Sequence, residues 1–593
     1  MWRAGRPHRR LVALAAGTLV LFGAMAARVG YLQTNQRDEL ASYGERQRTS
    51  SVTLPADRGV IFDRNGHELA LSVPKRTIWA DPRFWDGDQA GEPTVEQVAL
   101  PLAATLGLDA AATGKLVERL TPRVNDDGEP REFAYVARQV DDTVAEAVAA
   151  LEIPGVYDYI EPKRIFPNGD LAVGLLGDSV PDGDGSAGLE MQFNDLLKGT
   201  SGELVRERGS GGRTIPTGRK EVVPPTPGDD LVLTIDRTLQ WFTEEALKRQ
   251  VATTSARGGM VVIMDVRSGD VLAMANVRRD ADTGVPEVSK ANLAVIDTYE
   301  PGSVAKIITA AASLQEGKMV PGLRIEVPYG KQFYDYYFRD AHFHGMHDMY
   351  DVEDIIAHSS NVGTMLLSQM VGVDRMDHYL RAFGLGERSA LEFPGESRGI
   401  LKPGSEWQGT EKVTVSYGQG VAVTAVQLAA ATNVIANDGV YVAPRLVRAT
   451  IDEDGRQVEA PPSPTREVLR PDVALQMNSV LRAVICRGTG SRAAVPGYAV
   501  AGKTGTAYKA QDNGTYLDDD GNKHYYASFS GFLPADDPRL TVLVSIDEPS
   551  GDHYGGLVAA PLFVEVAQEA LRQMQVPPSP GGQGCPPTPE GGE

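Results

Sequence analysis

The sequence has little cysteine, an excess of acidic over basic residues and few long apolar runs, and each shortage excludes some classes of protein. Its 593 residues include only two cysteines, Cys486 and Cys585. An even pair is consistent with an exported protein in an oxidising compartment, where the two can form a bridge. The Pro/Gly-rich tail around Cys585 reads as disordered, which argues against a bridge, so both outcomes stay open.

A basic patch interleaved with aromatic residues is also missing, and the formal net charge is −21. Without a basic patch interleaved with aromatic residues, the sequence argues against nucleic-acid binding. The acidic excess indicates a solvated surface. A hydrophobic content of 42% in a chain of this length predicts two or more domains with ample core.

One apolar run has the length needed to cross a bilayer, and no second run is comparable. It extends from Leu11 to Ala27 without a charge and continues to Leu32, with Arg28 able to snorkel. Arginines before the run predict a cytoplasmic amino terminus; they are Arg3, Arg6, Arg9 and Arg10. A cleaved signal peptide is the alternative, because small residues at Ala24 and Ala26 resemble a cleavage site.

Three short motifs in the second half carry the chemistry. Ser303-Val304-Ala305-Lys306 follows a Pro-Gly break and opens an apolar run to Leu314, which predicts a buried helix. A serine at a helix start lies where backbone N–H groups favour negative charge. Lys306, one turn further on the same face, is predicted to reach the Ser303 hydroxyl and act as a general base once burial lowers its pKa.

A second Ser-x-x-Lys, beginning at Ser72, is a decoy. Pro74 stands two residues after Ser72 inside an extended apolar stretch, so Lys75 would not share the face of the serine. We interpret Ser72 as an ordinary strand serine.

The other two motifs predict a relay and an anion clamp. Ser359-Ser360-Asn361 precedes an apolar helix over 362–371 and can place a hydroxyl and an amide near the nucleophile. Lys503-Thr504-Gly505-Thr506 continues a strand-like run and supplies a cation and two hydroxyls suited to a terminal carboxylate. Further strands are predicted over 525–533 and 540–546, giving an antiparallel sheet whose edge accepts an extended peptide.

With these motifs the chain resembles the class B penicillin-binding proteins, most closely the division-specific (septal) peptidoglycan transpeptidases. The resemblance extends over roughly residues 50–573. His358 departs from the lysine that relatives often carry before the serine pair. The further family segments run from Asp57 to Gly66, from Arg164 to Pro167, from Gly174 to Gly177, from Gly188 to Glu190, from Thr234 to Gln240, from Ser416 to Gly420 and from His553 to Gly556.

The resemblance implies an α/β fold of the transpeptidase and serine β-lactamase type: a five-stranded antiparallel sheet flanked by helices, plus a helical lobe. It implies a serine acyl-enzyme mechanism on stem peptides, blocked by β-lactams, with no cofactor and no metal. The implied catalytic residues are Ser303, Lys306, Ser359, Asn361 and Lys503. The implied substrate-binding residues are Ser360, Thr504, Gly505 and Thr506, with backbone N–H groups of Ser303 and Thr506 as the oxyanion hole.

The predicted organisation has six parts. They are a cytoplasmic tail (1–10), a transmembrane anchor (11–32), a juxtamembrane link (33–50), an elongated non-catalytic pedestal of the dimerisation type (51–225), a transpeptidase domain (229–573) and a Pro/Gly-rich tail (574–593). Linkers are expected at Gly209–Gly212 and around Pro224.

By resemblance the chain is a single-pass membrane protein with an extracytoplasmic catalytic domain at the division septum. The implied partners are a membrane-embedded lipid II polymerase and other division proteins. An elongation or sporulation paralogue is the nearest alternative; a D,D-carboxypeptidase, a β-lactamase and a β-lactam sensor are more distant. The acceptor amine (diaminopimelate or lysine) and the oligomeric state are left open.

Histidines between the first two motifs invite a metal interpretation. His342, His344 and His347 alternate with Asp340, Asp348 and Asp351, but their spacing matches no common zinc site. We expect a mobile polar insertion there and no metal.

Overall fold

The computed structural model describes residues 7–35, 49–85, 93–124, 128, 130–207, 220–511, 513–582 and 585. Two compact units result, one from Met1–Asp57 with Gly199–Pro227 and one from Arg58–Lys198 with Gly228–Glu593. Arg3, Arg6, the linker at Gly209–Gly212 and the last eight residues lie outside the described residues.

The first unit contains a long helix, Pro7–Asn35, and a three-stranded antiparallel sheet. Within that helix, His8–Thr34 is long and apolar enough to cross a membrane, and the most apolar part of it contains no buried residue. The hydroxyl of Thr18 donates to the Leu14 carbonyl at 2.9 Å, which satisfies a polar group inside an apolar helix. The predicted anchor, 11–32, falls inside this helix.

The strands of the N-terminal half are β1 (Thr49–Leu54), β2 (Ile61–Phe62), β3 (Glu68–Ala80), β4 (Ala134–Val140), β5 (Val156–Ile165), β6 (Asp178–Ser179), β7 (Gly185–Ala187), β8 (Gly202–Glu207) and β9 (Lys220–Val223). In the first unit, β8 pairs with both β1 and β9. In the second unit, β3 is the long central strand and pairs antiparallel with β4 and β5. Ser72 lies on β3 and donates to the Arg58 carbonyl at 3.3 Å, which confirms it as an ordinary strand serine.

Amphipathic helices cover one face of β3, β4 and β5. Their apolar residues form a separate core with Ile78 of β3, including Leu102, Leu116 and Leu120, all essentially inaccessible to solvent. Thr94 and Asp109 cap the first two of these helices, as their side chains accept backbone N–H bonds. The helices of this region are Val95–Thr105, Ala110–Leu120, Asp142–Ala149, Val173–Leu176, Gly188–Gln192 and Asn194–Leu197.

Three of the family segments meet in a buried ion cluster. The Glu190 carboxylate accepts from Arg58 Nε at 2.5 Å and from Arg164 Nε at 2.7 Å. Arg58 also donates to the Glu190 and Gly183 carbonyls and to Asn194. All three charged side chains are at most 6% exposed. The cluster therefore ties three sequence-distant segments into one core, in which two arginines share the Glu190 carboxylate.

The catalytic region is joined to this part by main-chain pairing. The strands of this region are β10 (Asp230–Leu233), β11 (Gly258–Asp265), β12 (Val271–Arg279), β13 (Pro286–Val288), β14 (Ile325–Val327), β15 (Gly330–Phe333), β16 (Tyr336–Arg339), β17 (Asp348–Tyr350), β18 (Val440–Val442), β19 (Val447–Ile451), β20 (Gln457–Glu459), β21 (Thr465–Glu467), β22 (Ala501–Tyr508), β23 (Tyr525–Leu533) and β24 (Leu540–Asp547). Strand β2 pairs in parallel with β10, and Asp63 accepts from the Arg237 backbone N–H at 3.1 Å.

The main catalytic sheet is antiparallel in the order β13-β12-β11-β24-β23-β22. It has six strands where five were expected, because the short β13 extends one edge. Strands β11, β23 and β24 are buried along nearly their whole length, so the sheet is covered on both faces. Helices Arg237–Thr253 and Ala560–Gln573 pack on one face, and Ala425–Ala436 packs on the other. Strand β22, which carries the Lys503 motif, ends the sheet.

A helical lobe lies beside the sheet within this unit. The helices of the catalytic region are Arg237–Thr253, Leu293–Ile296, Lys306–Gln315, Val352–Ala357, Asn361–Val371, Val373–Ala382, Glu411–Thr414, Ala425–Ala436, Pro471–Arg487, Gly555–Val558 and Ala560–Gln573. A mobile polar insertion was expected at Asp340–Asp351, between the first two motifs. The segment from 325 to 350 forms two short antiparallel strand pairs, β14–β17 and β15–β16, and Asp340 directly after β16 is buried.

The start of the carboxyl-terminal tail is ordered, contrary to the expectation of disorder. Val576 and Ser579 are buried, and the Ser579 hydroxyl donates to Asp536 at 2.6 Å. Cys486 and Cys585 form a disulfide with their Cα atoms 5.4 Å apart, which resolves the open question. Composition alone missed this docking because the contacts lie far away in sequence.

Candidate active site

Ser303 lies in a tight 3₁₀ turn, Gly302–Ala305, that leads into helix Lys306–Gln315. The turn needs glycine at 302, where φ is +52° and a side chain would come within 2.8 Å of the Thr506 carbonyl. Gly418 approaches from the other side, because a Cβ there would be 2.3 Å from the Gly302 carbonyl. Ser303 is half-buried between buried neighbours, so it keeps part of its surface exposed to solvent. The predicted helix therefore begins one turn later than expected.

Lys306 is completely buried, and its ammonium group faces the second motif. Its Nζ donates to the Ser359 carbonyl at 2.6 Å, to Asn361 Oδ1 at 2.7 Å and to Ser359 Oγ at 3.3 Å. Burial lowers the pKa of Lys306 to about 7, against the opposing charge of Asp340. Within the described part of the chain, Nζ makes no hydrogen bond to Ser303, so the predicted direct contact is not formed.

Lys503 is the second fully buried lysine of the site. Its Nζ donates to Ser359 Oγ at 3.0 Å and to the Thr504 carbonyl at 3.1 Å. Burial, reinforced by the charge of Lys306, holds the pKa of Lys503 well below its usual value. The Ser359 hydroxyl thus lies between two lysine amines, an arrangement suited to passing protons.

Ser359 has a left-handed backbone with φ of +56°, which is rare for a residue other than glycine. Such a conformation costs on the order of 1–3 kcal/mol and persists where its surroundings fix it. Here the Ser359 N–H donates to the Ile356 carbonyl at 3.1 Å, and Lys306 holds the Ser359 carbonyl. The strained residue is thereby aimed at both lysines.

Ser360 and Asn361 begin the helix Asn361–Val371. Ser360 is its N-cap, with Oγ accepting from the Gly363 N–H at 2.8 Å and donating to Asp340 at 2.6 Å. This hydroxyl is buried and makes two hydrogen bonds within the protein. Ser360 therefore supports the motif, and its side chain is not exposed to a substrate. Asn361 instead points its amide oxygen at Lys306.

The third motif runs along the edge strand β22. Thr504 Oγ1 hydrogen-bonds Thr489 Oγ1 at 2.7 Å, and Thr506 Oγ1 accepts from the Gly555 N–H at 3.3 Å. Gly505 is required because a Cβ would meet Ser528 Oγ at 2.3 Å. The Ser303 turn packs directly on this strand, so the three motifs converge as the spacing predicted.

Sequence reasoning missed an acid–tyrosine group close to Ser303 in the sequence. Glu300 accepts from the Gly420 N–H and from the Tyr516 hydroxyl, both at 2.9 Å, and burial raises its pKa. The ring of Tyr417 lies 6.0 Å from Lys306 Nζ. Glu300 stands three residues before Ser303, which is the one local signal that could have identified it.

The histidines of the 325–350 segment have separate partners. His344 lies between Asp340 and Asp348, whereas His347, 83% exposed, pairs with Glu326. Among the residues that the structure describes, no three His, Cys, Asp or Glu side chains converge as a metal site would require.

Two family descriptions match the chain. "Penicillin binding protein transpeptidase domain" matches residues 259–568, and "Penicillin-binding Protein dimerisation domain" matches residues 53–233. The first match contains all three active-site motifs.

Several relatives match along nearly their whole length. "Penicillin-binding protein PbpB" of Mycolicibacterium smegmatis is 33% identical, covering 94% of this chain and 89% of the relative. "Stage V sporulation protein D" of Bacillus subtilis is 31% identical, covering 96% of this chain and 86% of the relative. "Peptidoglycan D,D-transpeptidase FtsI" of Escherichia coli is 31% identical, covering 96% of this chain and 92% of the relative.

Solved structures give the same result. The penicillin binding protein 3 of Mycobacterium tuberculosis complexed with ampicillin superposes with a TM-score of 0.68 at 30% identity. That alignment covers 91% of this chain and 99% of the solved chain.

Proposed function

Because the chain belongs to the class B penicillin-binding proteins, of the division type, we propose that Ser303 is the acylated nucleophile of a peptidoglycan D,D-transpeptidase. The observation that carries the proposal is the pair of fully buried lysines meeting at Ser359 beside the Ser303 turn. Two buried amines at one hydroxyl are costly for a fold and suited to proton transfer.

In the first half-reaction Ser303 Oγ attacks the carbonyl carbon between the last two D-alanines of a donor stem peptide. Lys306, whose pKa of about 7 leaves it substantially neutral at physiological pH, takes the hydroxyl proton. As the tetrahedral adduct collapses, the C–N bond breaks and the nitrogen of the departing D-alanine receives a proton through Ser359. Asn361 orients the peptide amide.

The strand β22 supplies the remaining contacts. Its open edge accepts the donor peptide as an added strand, with Lys503, Thr504 and Thr506 facing the terminal carboxylate. Gly505 lets the backbone approach closely. The N–H groups of Ser303 and Thr506, whose segments touch at Gly302, form the oxyanion hole.

In the second half-reaction an amine of a neighbouring stem peptide attacks the acyl-enzyme ester. The new amide is the cross-link, and Ser303 regains its proton. A β-lactam enters the first half-reaction in place of the donor and leaves a slowly hydrolysed acyl-enzyme. The ampicillin complex of the solved relative supports this expectation.

The remaining parts of the chain hold the catalytic domain at the membrane and in the division machinery. The helix Pro7–Asn35 anchors it to the cell membrane, with residues 1–10 in the cytoplasm and residues 229–573 outside. The pedestal, 51–225, and the anchor, 11–32, dock on a membrane-embedded lipid II polymerase of the division machinery at the septum. Deleting 33–220 should therefore abolish complementation of a depletion strain, and full complementation by the deleted form would refute this role.

The test of the chemistry is covalent labelling of the full-length protein in detergent with a fluorescent penicillin. Ser303→Ala should abolish labelling, and the decoy control Ser72→Ala should leave it intact. An adduct located by mass spectrometry on any other residue would contradict the assignment.

A sporulation role is the second candidate, favoured by the match to the Bacillus subtilis protein. An amino-terminal fluorescent fusion separates the two, since a division enzyme concentrates at mid-cell in vegetative cells. Cross-linked dimeric stem peptides among the products would exclude a D,D-carboxypeptidase, a β-lactamase and a sensor.

A further inference from the structure

A buried aspartate stands behind the second active-site motif. Asp340, directly after β16, is 6% exposed. Its Oδ2 accepts from Ser360 Oγ at 2.6 Å, and its Oδ1 accepts from the Val362 N–H at 2.9 Å. Both bonds go to the first turn of helix Asn361–Val371. The anion therefore lies at the positive end of that helix and satisfies groups that the helix itself leaves unpaired.

Asp340 is in turn held by a second pair of side chains. His344 Nε2 lies 2.8 Å from Asp340 Oδ2, and His344 Nδ1 lies 3.0 Å from Asp348 Oδ2. Tyr350 packs against the imidazole at 5.1 Å between centroids, and Tyr329 meets it edge-on at 6.3 Å. A neutral imidazole bonds one of these carboxylates as a donor, and the charged form bonds both.

This chain of contacts ends at the strained residue. Ser360 follows Ser359, whose left-handed backbone places its hydroxyl between the two lysines. Strain of that kind is kept only while the neighbouring backbone is fixed. Asp340 fixes it by holding Ser360 and Val362, which bracket Asn361.

We propose that Asp340 is a positioning residue of the acylation site, and that His344 and Asp348 hold it in place. Asp340 acts through Ser360 and Val362, and it orients Ser359 and Asn361 toward Lys306. The inference rests on the proposed function. It gives a role to the 325–350 segment, which contributes none of the three motifs.

Asp340 also acts on Lys306 through its charge. Its carboxylate raises the pKa of Lys306 against the dominant effect of burial. The other groups around Lys306 are the Lys503 amine, the Ser359 and Asn361 side chains and the Tyr417 ring. Removing the Asp340 charge should therefore make Lys306 easier to deprotonate, so the rising limb of the acylation pH profile should move to lower pH.

The experiment measures second-order acylation rates by a penicillin on the full-length protein in detergent between pH 5 and 9. We compare wild type, Asp340→Asn, His344→Gln and the control His347→Gln. Asp340→Asn should lower the maximal rate by about 10–100-fold, since the motif is misaligned, and shift the limb to lower pH. His344→Gln should lower the rate about 3–10-fold. His347→Gln, whose ion pair is exposed, should stay within about twofold.

Thermal unfolding of each variant separates misfolding from misalignment. A folded Asp340→Asn with an unchanged rate and limb would overturn the proposal, and so would a lowered rate with an unmoved limb, which marks a purely structural role. If Asp340→Asn does not fold, His344→Gln decides: a rate equal to that of His347→Gln overturns the proposal. A wild type that penicillin fails to acylate would refute the proposed function instead.

Discussion

Two clusters of buried cations in the same unit follow opposite rules. In the N-terminal part of that unit, Arg58 and Arg164 both bond the Glu190 carboxylate. At the active site, Lys306 and Lys503 are equally buried, but their hydrogen bonds go to neutral oxygens. A buried cation with a carboxylate partner remains charged and holds segments together. A buried amine that hydrogen-bonds only to neutral groups has a lowered pKa, as both lysines do.

Residue type reinforces this division. Guanidinium groups stay protonated at any physiological pH and form planar forks with carboxylates. Lysine amines change their pKa readily on burial, which proton transfer requires. Arginine thus stands where the charge persists, and lysine stands where burial lowers the pKa of the amine.

The largest expected effect comes from removing the base. Lys306→Met keeps an apolar chain of similar length and should lower the acylation rate by about 10²–10⁴-fold, as expected for loss of a general base. Thermal stability should be kept or increased, because a desolvated amine is gone. Stopped-flow kinetics measure the acylation rate, and differential scanning calorimetry measures the thermal stability. A large loss of stability would show that Lys306 is structural, like the arginines.

Breaking the other cluster should have the opposite outcome. Glu190→Gln leaves two buried arginines without a counter-ion and should lower the free energy of unfolding by about 3–5 kcal/mol. Glu118→Gln is the matched control, because its pair with Arg123 is exposed and should cost less than about 1 kcal/mol. Denaturant titration compares them. Equal effects of the two substitutions would contradict the comparison.

The sequence was informative about this active site where chemistry depends on local spacing. The three motifs, the decoy status of Ser72 and strand β23 at Tyr525–Leu533 all follow from patterns within a few residues. The residues that affect the site from distant parts of the sequence could not be predicted from such patterns. Asp340 and Glu300 act on residues that only the fold brings near, and a polar stretch gives no sign that one of its aspartates is buried.

The same limit explains the misplaced contact of Lys306. Spacing in a helix predicts that its amine lies over Ser303, but a 3₁₀ turn precedes the helix and the amine faces Ser359 and Asn361. A motif match does not show which of several nearby acceptors takes the hydrogen bond from the lysine amine. The docked tail from Val576 to Ser579 was missed for a related reason, since composition is blind to tertiary partners.

A third prediction tests the other lysine. Lys503→Ala should slow acylation by penicillins and donor peptides about 10–100-fold, since a charge-assisted bond to a carboxylate is removed. A thioester without a carboxylate should lose much less. Second-order acylation rates for both substrate types measure this. Equal losses would assign Lys503 to the Ser359 relay alone, a role that its 3.0 Å bond to Ser359 Oγ also permits.

The smallest expected effect comes from giving Lys306 a carboxylate partner, as the two buried arginines have. Asn361→Asp places a carboxylate oxygen where Oδ1 now lies, 2.7 Å from Lys306 Nζ. The new pair should raise the pKa of Lys306 above about 7 and move the rising limb of acylation to higher pH. At pH 7 the rate should fall by roughly tenfold. A limb that does not move would show that a partner charge has little influence there.

The disulfide between Cys486 and Cys585 encloses the last part of the catalytic fold in a covalent ring. The ring contains β22, β23, β24 and the helix Ala560–Gln573, and with them the whole Lys503 motif. A protease that nicks the polar loop between β22 and β23 would therefore release no fragment until a reductant is added. After such a cut, the two pieces would still migrate as one chain on a non-reducing gel.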